Sequence, residues 1–280
     1  MKIIQSPAEM SDFCESLRKE GKTIALVPTM GALHEGHMSL IDTALRNADV
    51  CVVSIFVNPT QFGPNEDFQA YPRQLEADAK ACEERGVSAV FAPTTGDIYA
   101  KDASTYVVEE QISSNLCGKS RPTHFRGVTT VVTILFNIVR PDFAVFGEKD
   151  AQQVSVIERM VRDLFIPVKI VRSPLVRAAN GLAVSSRNKY LHGSQIDAAL
   201  KLNQALLVGK QMFQNGCTNL HRIKGEIVNQ LSKSSRVRVI YVEMVDAKTS
   251  LPVDEIVEGK TRVAVAVWID QTRLIDNMIL

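Results

Sequence analysis

The stretch that most constrains this chain is Pro28-Thr29-Met30-Gly31-Ala32-Leu33-His34-Glu35-Gly36-His37. An apolar run, residues 23–27, precedes it and reads as a buried strand. Residues 38–45 follow, with apolar side chains recurring at three- and four-residue spacing as on one face of a helix. The stretch is therefore the turn from a first strand into a first helix. In open α/β sheets such turns lie at the carboxyl ends of the strands, where ligands bind. Gly31 and Gly36 permit positive φ or close backbone approach. The helix N-terminus offers unpaired N–H groups and the positive end of a dipole, which suits phosphate. Two imidazoles, His34 and His37, share the turn.

Familiar phosphate motifs do not account for it. Gly31 to Gly36 has neither the dinucleotide spacing G-x-G-x-x-G nor the Walker A form. Gly118-Lys119-Ser120 looks like a Walker fragment, but Ser113 stands where the first glycine belongs. The two histidines lack H-E-x-x-H spacing, and no cysteine cluster stands near to complete a metal site. The plainer alternative is a pair of loop histidines satisfied by backbone. Two imidazoles flanked by two glycines at a strand-to-helix turn favour a functional site.

Composition narrows the class. A chain of 280 residues exceeds one comfortable core and suits two domains. The net charge of +1 gives no bulk reason to bind nucleic acid or an anionic membrane. No run approaches the ~18 apolar residues of a membrane span. Met1-Lys2-Ile3-Ile4-Gln5-Ser6-Pro7 lacks a signal-peptide pattern. The cysteines (Cys14, Cys51, Cys82, Cys117, Cys217) are odd in number, scattered and without C-x-x-C, as expected of reduced thiols in a cytoplasm. None is given a catalytic role.

Alternation of elements predicts the architecture. A helix opens with Ser6 as N-cap, Pro7 at N1 and Glu9 at N3, and ends at Gly21. Strands are expected at 50–57, 89–92, 142–146 and 168–171, and helices at 38–48, 75–85 and 151–164. Residues 58–67 read as a loop, 105–109 as a candidate strand and 116–127 as a basic, turn-rich loop. Residues 128–139 read as a buried helix or an oligomer interface. After Pro174 come two helices (195–215, 219–232) and three strands (237–245, 262–269, 273–278). The expected fold is α/β: a Rossmann-like doubly wound parallel sheet over residues 1–175, with a smaller C-terminal α+β domain over 176–280.

Other constellations carry chemistry. Gly147-Glu148-Lys149-Asp150 leaves a strand at the same edge as the histidine turn, with Lys149 a mobile charge for phosphate oxygens. In Asn180-Gly181-Leu182-Ala183-Val184-Ser185-Ser186-Arg187-Asn188, two hydroxyls and an Arg in an extended loop suit a polyphosphate. Each has a bland counterpart, a solvated charged turn and a capped turn before a helix. Gln61 and Gln153 stand beside these loops and could hydrogen-bond a carboxylate or hydroxyl; alone they read as surface glutamines. Asp78 is a candidate for Mg²⁺, but a helix carboxylate facing water is the favoured reading. No protein metal ligand is assigned.

Leu33-His34-Glu35-Gly36-His37 resembles the H-x-G-H signature of the nucleotidylyltransferase superfamily, shared with class I aminoacyl-tRNA synthetases. The fuller string from Pro28 to His37 resembles the pantothenate synthetase (pantoate–β-alanine ligase) family, and the agreement extends over nearly the whole chain. The resemblance implies an ATP-dependent, AMP-forming ligase passing through pantoyl adenylate. It implies ATP contacts at Met30, Gly31, Ala32, Leu33, His34, Glu35, Gly36, His37, Gly147, Glu148, Lys149, Asp150, Val176, Val184, Ser185, Ser186 and Arg187. The catalytic set would be His37, His34, Lys149 and Arg187, with Gln61 touching pantoate and β-alanine and Gln153 the second pantoate amide. Met30, Phe56, Val131, Val132 and Phe146 would wall the gem-dimethyl group, or simply fill the core. Mg²⁺ would arrive on the ATP phosphates. The family is dimeric, so a cytoplasmic homodimer is expected, with residues 128–139 able to supply a shared face. The C-terminal domain would act as a lid, hinged between about residues 173 and 177. The sequence departs from the family pattern at Thr123, more often Gly, and at Ala179-Asn180. The rivals are a nucleotidylyltransferase acting on a phosphate acceptor and a nucleotide sensor without turnover.

Overall fold

The computed structural model describes residues 1–64 and 66–280; Asn65, part of the 58–67 loop reading, lies outside the described residues. Packing divides the chain into two compact units. The first comprises Met1–Glu110, Arg121–Glu148 and Val156–Pro174. The second comprises Gln111–Ser120, Lys149–Ser155 and Leu175–Leu280.

The first unit holds a six-stranded sheet of β1 (Lys2–Ile4), β2 (Ile24–Thr29), β3 (Val50–Ile55), β4 (Ala89–Phe91), β5 (Phe143–Gly147) and β6 (Lys169–Ser173), in the order β1-β4-β3-β2-β5-β6. Every pairing is parallel. Strand sequences such as VCVVSI are apolar almost throughout because helices cover both faces of such a sheet. The helices are α1 (Pro7–Lys19), α2 (Glu35–Asn47), α3 (Leu75–Glu84), α4 (Thr95–Ile98) and, further on, α6 (His124–Val139); the four-residue α5 (Cys117–Ser120) packs with the second unit. Ser6 caps α1, its Oγ accepting from the Glu9 N–H, with Pro7 in the first turn. The strand order reverses between β2 and β5, which makes their carboxyl ends the topological switch point.

Three local readings change. The histidine motif belongs to α2, which begins at Glu35 rather than at 38. Residues 105–109 form no strand among the described residues; side chains of α6 bind Val107 instead, Thr130 Oγ1 accepting from its N–H at 3.1 Å and Thr129 Oγ1 donating to its carbonyl at 2.6 Å. Residues 116–127 are not one loop, since α5 and the start of α6 lie within them. Residues 128–139 are a buried helix: Val128, Val131, Val132, Leu135, Phe136 and Val139 are all in the interior. Gly127 begins that packing, because a Cβ there would stand 2.5 Å from the Thr60 carbonyl oxygen.

The helix α7 (Ala151–Asp163) starts in the second unit and continues into the first. The second unit is completed by α8 (Ser194–Gln214), α9 (Leu220–Ser232) and an antiparallel sheet β7 (Val237–Asp246), β8 (Thr261–Ile269), β9 (Thr272–Ile279), in that order. Its core joins Leu202, Leu206, Ile223 and Ile227 of the helices to Val263, Val265 and Val267 of β8. The expected division ran continuously to residue 175. The packing sends two earlier segments to the second unit, Lys149 among them. Leu116 sits against Tyr241, Val245 and Ala264. Ser155 Oγ donates to the Lys248 carbonyl at 2.9 Å. Gln152, a buried amide, donates to the Ile112 and Asn115 carbonyls and accepts from the Cys117 N–H. Among the described residues, no helix is long and apolar enough to cross a membrane.

Candidate active site

The histidine turn is built in three steps. β2 ends at Thr29, whose Oγ1 donates to the Ser54 carbonyl at 2.7 Å and accepts from the Gly31 N–H at 3.1 Å. The backbone then turns through two left-handed residues, Gly31 (φ 80°) and Ala32 (φ 52°). A Cβ at Gly31 would lie 3.0 Å from both an Asp78 carboxylate oxygen and Ile55, so space as well as φ requires glycine. Then His34 caps α2, its Nδ1 accepting from the Gly36 N–H at 3.1 Å. This assigns the proton of the neutral ring to Nε2, so His34 offers its far nitrogen as a donor. Gly36 lies in the first turn of α2 and contributes that N–H. The two imidazoles stand 4.1 Å apart, centroid to centroid.

Asp78 overturns the water-facing reading. It is 1% exposed, and its two oxygens accept from the Ala32 N–H at 2.8 Å and the Leu33 N–H at 2.9 Å. Gln74 donates to the same carboxylate at 3.1 Å. Two left-handed residues in a row turn successive N–H groups to one side, and a buried carboxylate on α3 fills the concavity they make. Three donors share this carboxylate, two of them from the turn it closes. No group of three metal-binding side chains occurs among the described residues. The i, i+4 link from Gln74 to Asp78 was visible in the sequence; the partner 46 residues upstream was not.

Gln61, in the short 3₁₀ turn Pro59–Gln61, is 9% exposed rather than a surface amide. Its Nε2 lies 3.0 Å from the Met30 sulfur, beside the histidine turn. Asn58 holds the other end of the amide, donating to Gln61 Oε1 at 3.1 Å and to the Gly127 carbonyl at 3.1 Å. Asn58 in turn accepts from the Tyr99 hydroxyl at 2.9 Å. The Gln61 carbonyl lies 2.9 Å from His124 Nδ1 and accepts from Arg121, which also pairs with Glu66. Phe56, Val131, Val132 and Phe146 are buried in the same unit and Met30 is half-buried. Glu148 is engaged by Arg172 at 3.3 Å, and Arg172 also grips Glu158 through two nitrogens. Gly147 ends β5 without positive φ, and a Cβ there would make only ordinary contact with Leu40 at 3.6 Å.

The remaining predicted residues fall in the second unit. Lys149 is half-buried, 3.6 Å from the Asp150 carboxylate. Gln153 is partly exposed, in the first turn of α7. Residues 176–184 form a tight hairpin, not an extended loop. Val184 N–H donates to the Val176 carbonyl at 3.0 Å, and Ala178 N–H to the Leu182 carbonyl at 2.9 Å. Gly181 takes φ 90° at its tip. Ser185 then caps the 3₁₀ turn Ser186–Tyr190 by accepting from the Arg187 N–H at 3.3 Å. Ser186 is buried and Arg187 is partly exposed. Asn188 donates to the Ala183 carbonyl at 3.0 Å, stitching the turn back to the hairpin.

Burial pushes Cys14 up to about 11 and Cys51 and Cys82 up to about 12, so these three are protonated at neutral pH and poor nucleophiles.

Comparison with known proteins agrees throughout the chain. The model of the family described as Pantoate-beta-alanine ligase matches residues 2–279. A pantothenate synthetase of Pseudothermotoga lettingae is 52% identical over 280 residues, covering 100% of this chain and 99% of its own. One from Clostridium novyi is 51% identical over 271 residues, 97% of this chain and 95% of its own. The crystal structure of pantothenate synthetase from Thermus thermophilus superposes with a TM-score of 0.93 at 40% identity, covering 100% of this chain and 99% of that one. A pantoate-beta-alanine ligase from Francisella tularensis, complexed with beta-gamma ATP and beta-alanine, gives a TM-score of 0.82 at 37% identity, covering 100% and 97%.

Proposed function

Because the chain belongs to the pantoate-beta-alanine ligase family, we propose a division of labour among its residues for the reaction of that family. The reaction is the ATP-dependent condensation of pantoate with β-alanine to pantothenate. A carboxylate is a poor electrophile and must first be activated. A pantoate oxygen attacks the α-phosphorus of ATP, the bond to the bridging oxygen breaks, and pyrophosphate leaves. The amine of β-alanine then attacks the acyl carbon. AMP leaves with the electron pair of the C–O bond, and the nitrogen sheds its proton.

The first step concentrates negative charge on the phosphates and needs no base, since the carboxylate is already ionised. His34 donates from Nε2 to a phosphate oxygen, and His37 serves as the proton donor. The N–H groups at the start of α2 add the positive end of the helix dipole. Lys149 and Arg187 supply point charge and a two-pronged donor. Main chain at Met30 to Leu33, Gly147 to Asp150, Val176 and Val184 cradles the nucleotide, with Ser185 and Ser186 on its phosphates. Gln61 orients pantoate beside Met30, and Gln153 offers a second amide. The acceptor residues are neutral amides, which favours a carboxylate substrate over the phosphate acceptor of a plain nucleotidylyltransferase. Mg²⁺ comes with the ATP phosphates. The working form is a cytoplasmic homodimer.

The observation that carries this reading is the histidine turn at the switch point between β2 and β5, in a chain that matches the family over residues 2–279. The test is a two-stage assay. Pantoate alone should release pyrophosphate from ATP, with AMP released only when β-alanine is added. Pyrophosphate release that ignores pantoate would overturn it.

A further inference from the structure

Two pieces assigned to the nucleotide, the Lys149 turn and the 176–184 hairpin, are separate in sequence yet joined by one largely buried polar chain in the second unit. Arg177 grips Asp276 with both terminal nitrogens, at 2.7 and 2.8 Å. The same guanidinium donates to the Gly181 carbonyl at the hairpin tip, 3.1 Å, and to the Asn277 carbonyl, 3.2 Å. Asp276 is 3% exposed and also accepts from the Asn277 N–H at 2.7 Å. Asn277 Nδ2 donates to the Lys149 carbonyl at 3.1 Å, across 128 residues of sequence. Its Oδ1 accepts from Arg262, which is itself buried.

The chemistry of the two partners fixes the orientation of this amide. A guanidinium only donates and a carbonyl only accepts, so the oxygen faces Arg262 and the NH₂ faces Lys149. Asp276 and Asn277 are successive residues of β9, so their side chains leave opposite faces of the strand. One face holds the hairpin and the other holds the turn, with the strand as spacer. The arrangement does not follow from packing alone. Apolar residues could fill the same volume, but a carboxylate, two guanidiniums and an amide whose bonds interlock admit only one spacing.

We propose that the Arg177–Asp276–Asn277 chain positions the nucleotide-binding pieces, setting the Lys149 turn and the 176–184 hairpin at the separation the triphosphate requires, with Asn277 acting through Lys149. The inference rests on the phosphate role given to Lys149. None of the three is a catalytic residue; each acts through another.

Asn277→Asp isolates the proposal, because it keeps the volume and the bond to Arg262 but removes the donor to Lys149 and sets two acceptors face to face. The experiment is a double-mutant cycle on single-turnover formation of pantoyl adenylate at saturating ATP, with the thermal midpoint recorded for each protein. Asn277→Asp should slow adenylation at least tenfold in the otherwise natural chain and less than twofold in a Lys149→Ala background. An equal slowing in both backgrounds would mean a general structural role and would overturn the proposal. Lys149→Ala with undiminished adenylation would overturn the reading of Lys149, and the positioning role with it. Should Asn277→Asp not fold, Asn277→Ser, whose shorter side chain no longer reaches the Lys149 carbonyl, is read in the same cycle, where additivity with Lys149→Ala again defeats the idea.

Discussion

The histidine turn and the Lys149–Arg187 region are assigned to one nucleotide but are built on different principles. The histidine turn is mostly local. Ten consecutive residues take it from strand to helix, and His34 caps the helix it begins. A distant side chain, Asp78, takes two of its N–H groups, and Gln61 meets it at Met30. In the second unit Lys149 sits in a short 3₁₀ turn beside Asp150, and distant residues tie that turn down. Its main chain is fixed by Asn277, and the hairpin by Arg177 on Asp276. Geometry encoded by neighbours in sequence is cheap to nucleate, whereas geometry encoded by long-range bonds exists only once the unit has folded. The first region should therefore respond to substitution through one exceptional contact, and the second through coupled ones.

The largest expected effect tests that exception. Asp78→Ala leaves two buried N–H groups without an acceptor, each worth about 1–3 kcal/mol, so a loss of roughly 2–6 kcal/mol is expected. Chemical denaturation should show it, together with a steep fall in adenylation as the turn relaxes. A variant of unchanged stability and rate would make the turn wholly local and erase the exception. Arg187→Ala comes next. Loss of one preorganised donor should slow adenylation about a hundredfold. It should also loosen the hold on the mixed anhydride, which water then intercepts. The measurement is the ratio of AMP to pantothenate at saturating β-alanine. A ratio of one would leave Arg187 with no part in protecting the intermediate. The smallest effect is Gln61→Ala, which removes a partner worth about 1–3 kcal/mol to the acceptor. The KM for pantoate should rise about ten- to a hundredfold while that for ATP stays put. Equal changes in both would show that Gln61 supports the histidine turn through Met30 instead of meeting substrate.

Much of the first region was legible from the chain. The run before Pro28 read as a strand, the glycine at 31 permitted a left-handed turn, and the periodicity after His37 read as a helix; all three occur. The start of the helix was misjudged by a turn because its first residues, Glu35 to His37, are polar and carry no apolar period. Asp78 was misjudged for a related reason. A carboxylate on a helix faces water by default, and its burial is decided by two N–H groups 45 and 46 residues upstream. Residues 105–109 have the β-branched and aromatic composition of a strand, but α6 threonines take both backbone groups of Val107 at its centre. Gln61 looked like surface because nothing near it in sequence announces Asn58 and Met30 as its neighbours in space.

By itself, then, the sequence determined the alternation of elements, the turn from β2 into α2 and the glycine at its left-handed position. These depend on periodicity, capping and glycine conformations, all of which act within a few residues. Only the tertiary structure decided that Asp78 serves the backbone, that Lys149 packs with the second unit and that Arg177, Asp276 and Asn277 hold its turn. Those outcomes depend on which polar groups meet after burial. A buried donor or acceptor must find a partner wherever the fold provides one, and nothing in the spacing of residues along the chain specifies where that will be.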